Sequence, residues 1–134
     1  MDDLIQTGKN LENVVLVAVR TPDVSEREVN EYLDELAFLA ETAGANPVDR
    51  FVQALTLPDT RYFIGSGKLQ EIIDYTKVQE DIDAIIFDDE LTPSQFRNLE
   101  RAFRRRILDR TNLILDIFAK RARSAHAKTQ VELA

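Results

Sequence analysis

The chain has 134 residues, 44% of them apolar and 31% charged, a size that supports one globular domain with a substantial core and excludes two. It has no cysteine, which removes disulfides, thiolate metal sites and thiol catalysis together. The formal net charge of −7 hides two opposite halves: residues 1–96 hold 7 Lys or Arg against 20 Asp or Glu, whereas residues 97–134 hold 10 against 4. Such asymmetry marks a terminal segment facing a polyanion or an acidic partner, or else a solvated basic helix that offsets an acidic body.

Val14 to Arg20 opens the pattern as a β-branched run without alternation, the signature of a strand buried on both faces of a parallel sheet. Its six apolar residues, Val14 to Val19, form the longest such run, far short of the twenty or so that span a bilayer. The acidic start Met1-Asp2-Asp3 argues against a secretory signal, so a soluble cytoplasmic domain is expected. Ser25 and Glu28 then form a capping box with Val24 and Val29 at the staple positions. A helix is predicted from Ser25, burying Val29, Tyr32, Leu33, Leu36 and Ala40, with Gly44 as its left-handed stop.

Phe51 to Leu57 reads as a strand nearer the sheet edge, ended by Pro58. Leu69, Ile72, Ile73 and Thr76 place a second helix after the loop 59–66. Ala84 to Phe87 repeats the buried-strand signature. Thr92, Pro93 and Gln95 fix a third helix start, with Leu91 and Phe96 as staple and Phe96, Leu99 and Phe103 as its buried stripe. Arg104-Arg105-Arg106 closes that helix and Ile107-Leu108 makes a fourth strand. Four strand–helix pairs predict an α/β fold: a mostly parallel four-stranded sheet with helices on both faces.

The last helix, from about Thr111, differs. Ile114, Ile117 and Phe118 begin an apolar stripe that breaks at Arg121, which predicts a helix projecting from the body. The chain stops at Ala134 without a cap, Gly or Pro, which predicts a longer parent interrupted mid-helix. Residues 1–110 are thus the α/β domain and 111–134 the start of a helical segment.

Ligands of open α/β sheets bind beyond the carboxyl ends of the strands. Four loops qualify: Thr21-Pro22-Asp23, Arg61 to Lys68, Asp88-Asp89-Glu90 and Arg110-Thr111-Asn112. Gly65-Ser66-Gly67-Lys68 opens a helix, so backbone amides and Lys68 could cradle phosphate. A P-loop is incomplete here, because Leu69 follows Lys68 and no glycine stands five before Gly67; the alternative for Gly65 and Gly67 is a tight turn. Asp88 and Asp89 could hold Mg²⁺, or simply complement a helix N-terminus. His126, the single histidine, reads as a surface residue, and no nucleophile–base constellation exists. Arg110, Lys120, Arg121, Arg123 and Lys128 run from the ligand edge along the projecting helix, a spacing suited to a phosphate backbone. Without aromatics after Phe118, phosphate and shape contacts are expected rather than base stacking.

Three stretches resemble a known family. Tyr62 to Lys68 (YFIGSGK), Phe87 to Leu99 (FDDELTPSQFRNL), and Asp109 to Ala119 (DRTNLILDIFA) followed by Arg121-Ala122-Arg123 and Gln130 to Ala134 look like the amino-terminal domain of the HflX family of ribosome-associated GTPases. The resemblance covers nearly the whole chain from Val14, with local departures at Asn112, Lys120 and His126. It implies a parent that continues into a helical hairpin and a GTP-binding domain carrying the P-loop, GTP and Mg²⁺. The 134 residues alone are then inactive as a GTPase. It further implies binding to the large ribosomal subunit and its RNA, splitting of stalled ribosomes under stress, and packing against the parent's own GTP-binding domain. ATP binding through Gly65, Gly67 and Lys68 is the alternative function, as a Mg²⁺-dependent nucleotide-binding enzyme domain.

Overall fold

A computed structural model describes the backbone of residues 11–133 and the side chains of residues 11–123. The elements alternate in the expected order: β1 (Glu12–Arg20), α1 (Glu26–Thr42), β2 (Ala45–Ala54), α2 (Ser66–Val78), β3 (Ile82–Phe87), α3 (Pro93–Phe103), β4 (Arg106–Asp109) and α4 (Arg110–Leu133). The strands form one parallel sheet in the order β2-β1-β3-β4. The chain therefore moves one way from β1 to β2 and the other way to β3 and β4, which creates a topological switch point between β1 and β3.

Because side chains alternate across a strand, β1 feeds two cores. Val14, Leu16 and Ala18 join Ala84 and Ile86 under α1 and α4, where Val29, Leu33, Leu36, Ala40 and Leu113 are buried. Val15 and Val17 join Ile85, Phe87, Ile72, Leu99 and Phe103 under α2 and α3. Val14 to Ala18 are all at most 2% exposed, which explains the missing polar alternation in that segment.

Both capping boxes form as predicted. The Ser25 hydroxyl accepts from Glu28 N–H while Glu28 accepts from Ser25 N–H, and Thr92 and Gln95 do the same for α3. Gly44 takes the positive φ, 89°, that stops α1.

Four details differ from the sequence reading. Tyr32 is 45% exposed rather than core, since it lies at the margin of the α1 stripe over the carboxyl end of the sheet. β2 begins at Ala45 and ends at Ala54, not Phe51 to Leu57; as an edge strand it tolerates exposed Asn46, Asp49 and Arg50, and Pro47 sits beside the β1–β2 register shift where an edge admits it. α4 starts at Arg110, directly on the end of β4. Its buried anchor is Leu113, while Phe118 is 64% exposed. Full burial of a leucine stabilises by about 1.5–3 kcal/mol, so Leu113 does more to hold α4 down than the stripe beginning at Ile114. Among the described residues, no helix is long and apolar enough to cross a membrane.

The arginine run at 104–106 sits at the amino end of β4, away from the ligand loops, and each residue has a separate job. Arg104 adopts the left-handed conformation that ends α3. Arg105 turns inward and donates to the carbonyls of Ile82, Thr76 and Phe103. Arg106 pairs with Glu12 at 3.3 Å.

Candidate functional site: a cleft at the carboxyl end of the sheet

Three of the four loops converge. Thr21, Asp88, Asp89, Glu90, Arg110 and Thr111 line a cleft of about 520 Å³, with Tyr32 and Glu35 of α1 on its far wall. It lies at the switch point between β1 and β3, where Val17 O accepts from Asp88 N–H at 2.8 Å. Its size falls in the usual range for small-molecule sites.

Arg110 organises this cleft. Its Nε and Nη2 both donate to Asp88 Oδ1, at 2.9 and 2.6 Å. Nη1 donates to Glu35 Oε1 at 2.6 Å and Nη2 to Tyr32 O at 3.4 Å. One guanidinium thus ties the end of β3 to the middle of α1 from the first residue of α4. The Asp88 side chain is only 5% exposed. Burial pushes its carboxyl above the usual range, outweighing the pull of Arg110. Arg110 is partly buried, which opposes its charge, yet the hydrogen bonds and charges of Asp88 and Glu35 hold its pKa above the ordinary arginine value. Asp109, also buried, accepts from Leu91 N–H and Asn112 N–H at 2.9 and 2.8 Å, joining the loop after β3 to the first turn of α4.

These contacts revise the expected role of Arg110. Its charge is balanced by two carboxylates of the body, so it acts as an internal clamp rather than a free phosphate ligand. They also bear on Asp88 and Asp89. Asp88 Oδ1 serves Arg110, Asp89 Oδ1 accepts from Glu90 N–H, and among the described residues no group of three His, Cys, Asp or Glu is placed to hold a metal ion.

The glycine-rich loop is elsewhere. None of Gly65, Gly67 and Lys68 lines the cleft. Gly65 is the N-cap of α2, and its N–H donates to Gln53 Oε1 at 2.8 Å, so that one amide is committed to the chain's own side chain. A Cβ on Gly65 would meet Gln53 Nε2 at 2.9 Å, whereas one on Gly67 would meet nothing within 4 Å. Lys68 pairs with Glu71 at 3.1 Å.

Along α4, Lys120 donates to Ala43 O at 2.8 Å and pairs with Asp116, anchoring the helix to the end of α1. Arg121 and Arg123 follow, both exposed. The side chains of His126 and Lys128 lie outside the described residues. Beside Lys120, Phe38, Leu39, Ile114, Ile117 and Phe118 line a shallow apolar groove of about 240 Å³.

Sequence reasoning named the three loops but not Glu35, and it assigned Tyr32 to the core; the signal for Glu35 is only its i+3 spacing from Tyr32. The pairing of Arg110 with them spans 75 and 78 residues, beyond any local pattern.

Comparison with known proteins places the chain. Residues 30–119 match the family model described as GTP-binding GTPase N-terminal. The GTPase HflX of Flavobacterium psychrophilum is 50% identical over 125 residues, which is 93% of this chain and 30% of that protein. The GTPase HflX of Escherichia coli K12 is 43% identical over 104 residues, 78% of this chain and 24% of that protein. Among solved structures, a complex of SsGBP with GDP matches with a TM-score of 0.66 and 27% identity, covering 92% of this chain and 33% of the other. A GTP-binding protein from Sulfolobus solfataricus, also with GDP, gives 0.60 and 26%, covering 81% and 30%. The chain thus spans about 30% or less of the length of these two curated relatives.

Proposed function

The chain belongs to the HflX family of GTPases, as its amino-terminal domain, and on that premise we propose that it is the ribosome-docking and regulatory module of a longer GTPase. The parent binds the large ribosomal subunit and splits stalled ribosomes under stress, with GTP and Mg²⁺ held by a separate GTP-binding domain. The observation that carries this reading is the course of α4. Lys120 is fastened to Ala43 O, and Arg121 and Arg123 then stand exposed on a helix that continues to Leu133. The Arg110 clamp fixes the angle at which that helix leaves the sheet.

In this account Arg121, Arg123 and Lys128 meet ribosomal RNA phosphates, while Arg110 and Lys120 position the helix. Binding of the parent protein to large subunits falls steeply with salt, and Arg121→Gln with Arg123→Gln lowers both the affinity and the slope, by about 1 for each phosphate no longer neutralised. A salt-independent affinity refutes the reading. The regulatory half is tested by comparing GTP turnover of the parent with and without residues 1–134; equal rates remove it. Nucleotide chemistry within this chain has less support, because Gly65, Lys68 and Asp88 already have internal partners. Calorimetry with ATP and Mg²⁺ is expected to show no heat.

A further inference from the structure

We propose that α3 presents a second phosphate-contacting face for structured RNA, formed by Arg97, Arg101 and Arg104 with Arg61 beside them. This extends the docking reading above and rests on it for the nature of the partner. Positions 97 and 101 are i and i+4 on α3 and share one side, and Arg104 follows as the residue that ends the helix. All three are exposed, and α3 carries a single acid, Glu100. Arg61 joins them because Asn98 Nδ2 donates to Arg61 O at 3.0 Å. Among the described residues none of the four arginines has an ion-pair partner; the one hydrogen bond from their side chains runs from Arg97 to Ser94 Oγ at 3.4 Å. Arg97 and Arg101 are separated by about 6 Å along the helix axis.

Two backbone observations point the same way. Arg104 sits at φ 55° and Phe63 at φ 68°, conformations that cost stability for any residue but glycine. Glycine would end α3 at lower cost, and the Arg104 side chain makes no hydrogen bond or ion pair with the described body that would favour arginine. Phe63 closes the loop that displays Arg61. That loop is over-determined: Asp59 and Phe63 exchange two backbone hydrogen bonds, Asp59 Oδ1 accepts from Arg61 and Tyr62 N–H, and buried Gln95 donates to Asp59 O at 2.7 Å. Backbone strain held this firmly concentrates where a surface is used.

The partner is a polyanion rather than a protein groove or a bilayer. Among the described residues, no large exposed apolar side chain lies on residues 58–64 or on α3 to anchor a protein interface. The apolar side of α3, Leu99 and Phe103, is buried in the core and cannot enter lipid.

The test uses the 134-residue chain with a labelled RNA hairpin, read by fluorescence anisotropy from about 50 to 200 mM salt. Wild type binds with a log–log slope steeper than about −4, because Arg121 and Arg123 of α4 add to the four arginines of this face, and Arg97→Gln/Arg101→Gln/Arg104→Gly reduces its magnitude by about 3. Circular dichroism melting of the same variant verifies that it folds, and Arg97→Gln/Arg101→Gln, which leaves the backbone at 104 untouched, shows about two-thirds of the effect. Unchanged binding in the triple variant, or no binding by wild type, overturns the α3 face. Equal displacement by polyglutamate overturns it in favour of an acidic protein partner, and equal binding to phosphatidylserine vesicles in favour of a membrane. The docking reading is judged separately, by binding of the parent carrying Arg121→Gln/Arg123→Gln to large subunits.

Discussion

Replacing Arg110 by glutamine strips Asp88 of its counter-charge. The Asp88 side chain is 5% exposed and receives both of its shortest hydrogen bonds from that guanidinium. Breaking a buried pair from one side costs about 3–5 kcal/mol. Arg110 is itself 26% exposed, so solvent screening lowers the figure, and the contact to Glu35, 61% exposed, adds under about 1 kcal/mol. The expected loss at pH 7 is about 2–3 kcal/mol, or ~6–12 °C in melting temperature for a domain of this size.

The sign of the pH dependence follows from Asp88. Its folded pKa already lies above the unfolded value, and losing Arg110 raises it further. The native state then binds more protons than the unfolded state between those two values, so stability falls as pH rises through that window. The penalty is therefore largest at pH 7 and shrinks as pH approaches about 4, the unfolded carboxyl range. Urea unfolding followed by circular dichroism at both pH values measures it, and Asp88→Asn in the same background recovers most of the loss at pH 7. A penalty below about 0.5 kcal/mol, or one equal at the two pH values, refutes the clamp.

Ser25→Ala removes the hydroxyl that caps α1 and lowers stability by about 1 kcal/mol in the same assay. Arg104→Gly relieves the left-handed strain at the end of α3 and raises stability by about 0.5–1 kcal/mol, a gain read as a higher urea midpoint with unchanged slope.

The regular parts of this fold were legible because their signals are local. Ser25/Glu28 and Thr92/Gln95 place helix starts to the residue, and β1 and β3, buried on both faces, show themselves as unbroken apolar runs. β2 was half hidden: Phe51 to Ala54 read as strand, but Asn46, Asp49 and Arg50 are polar because the edge leaves them in water. The phase of α4 was read from Ile114 when Leu113 carries the burial. The shift arises because the helix grows directly from β4 under the control of Asp109, a constraint that spacing within the helix does not encode. At the site, loop positions followed from strand ends, whereas the commitment of Arg110 depends on carboxylates 22 and 75 residues away. Arg97 and Arg101 of α3 were visible in principle, one helical turn apart, whereas the left-handed turn at Arg104 lacks the glycine that would have signalled it.

β4 passes into α4 with no intervening residue: Asp109 ends the strand and Arg110 begins the helix. A joint without slack transmits rotation. α4 has 24 residues, about 36 Å, and since Lys120 fastens its first half to the end of α1, the part beyond that anchor is about 20 Å long. With Arg110 and Lys120 both bound to α1 or its end, the helix direction is set by two points on that one neighbour, so it follows α1 and β4 as a single unit.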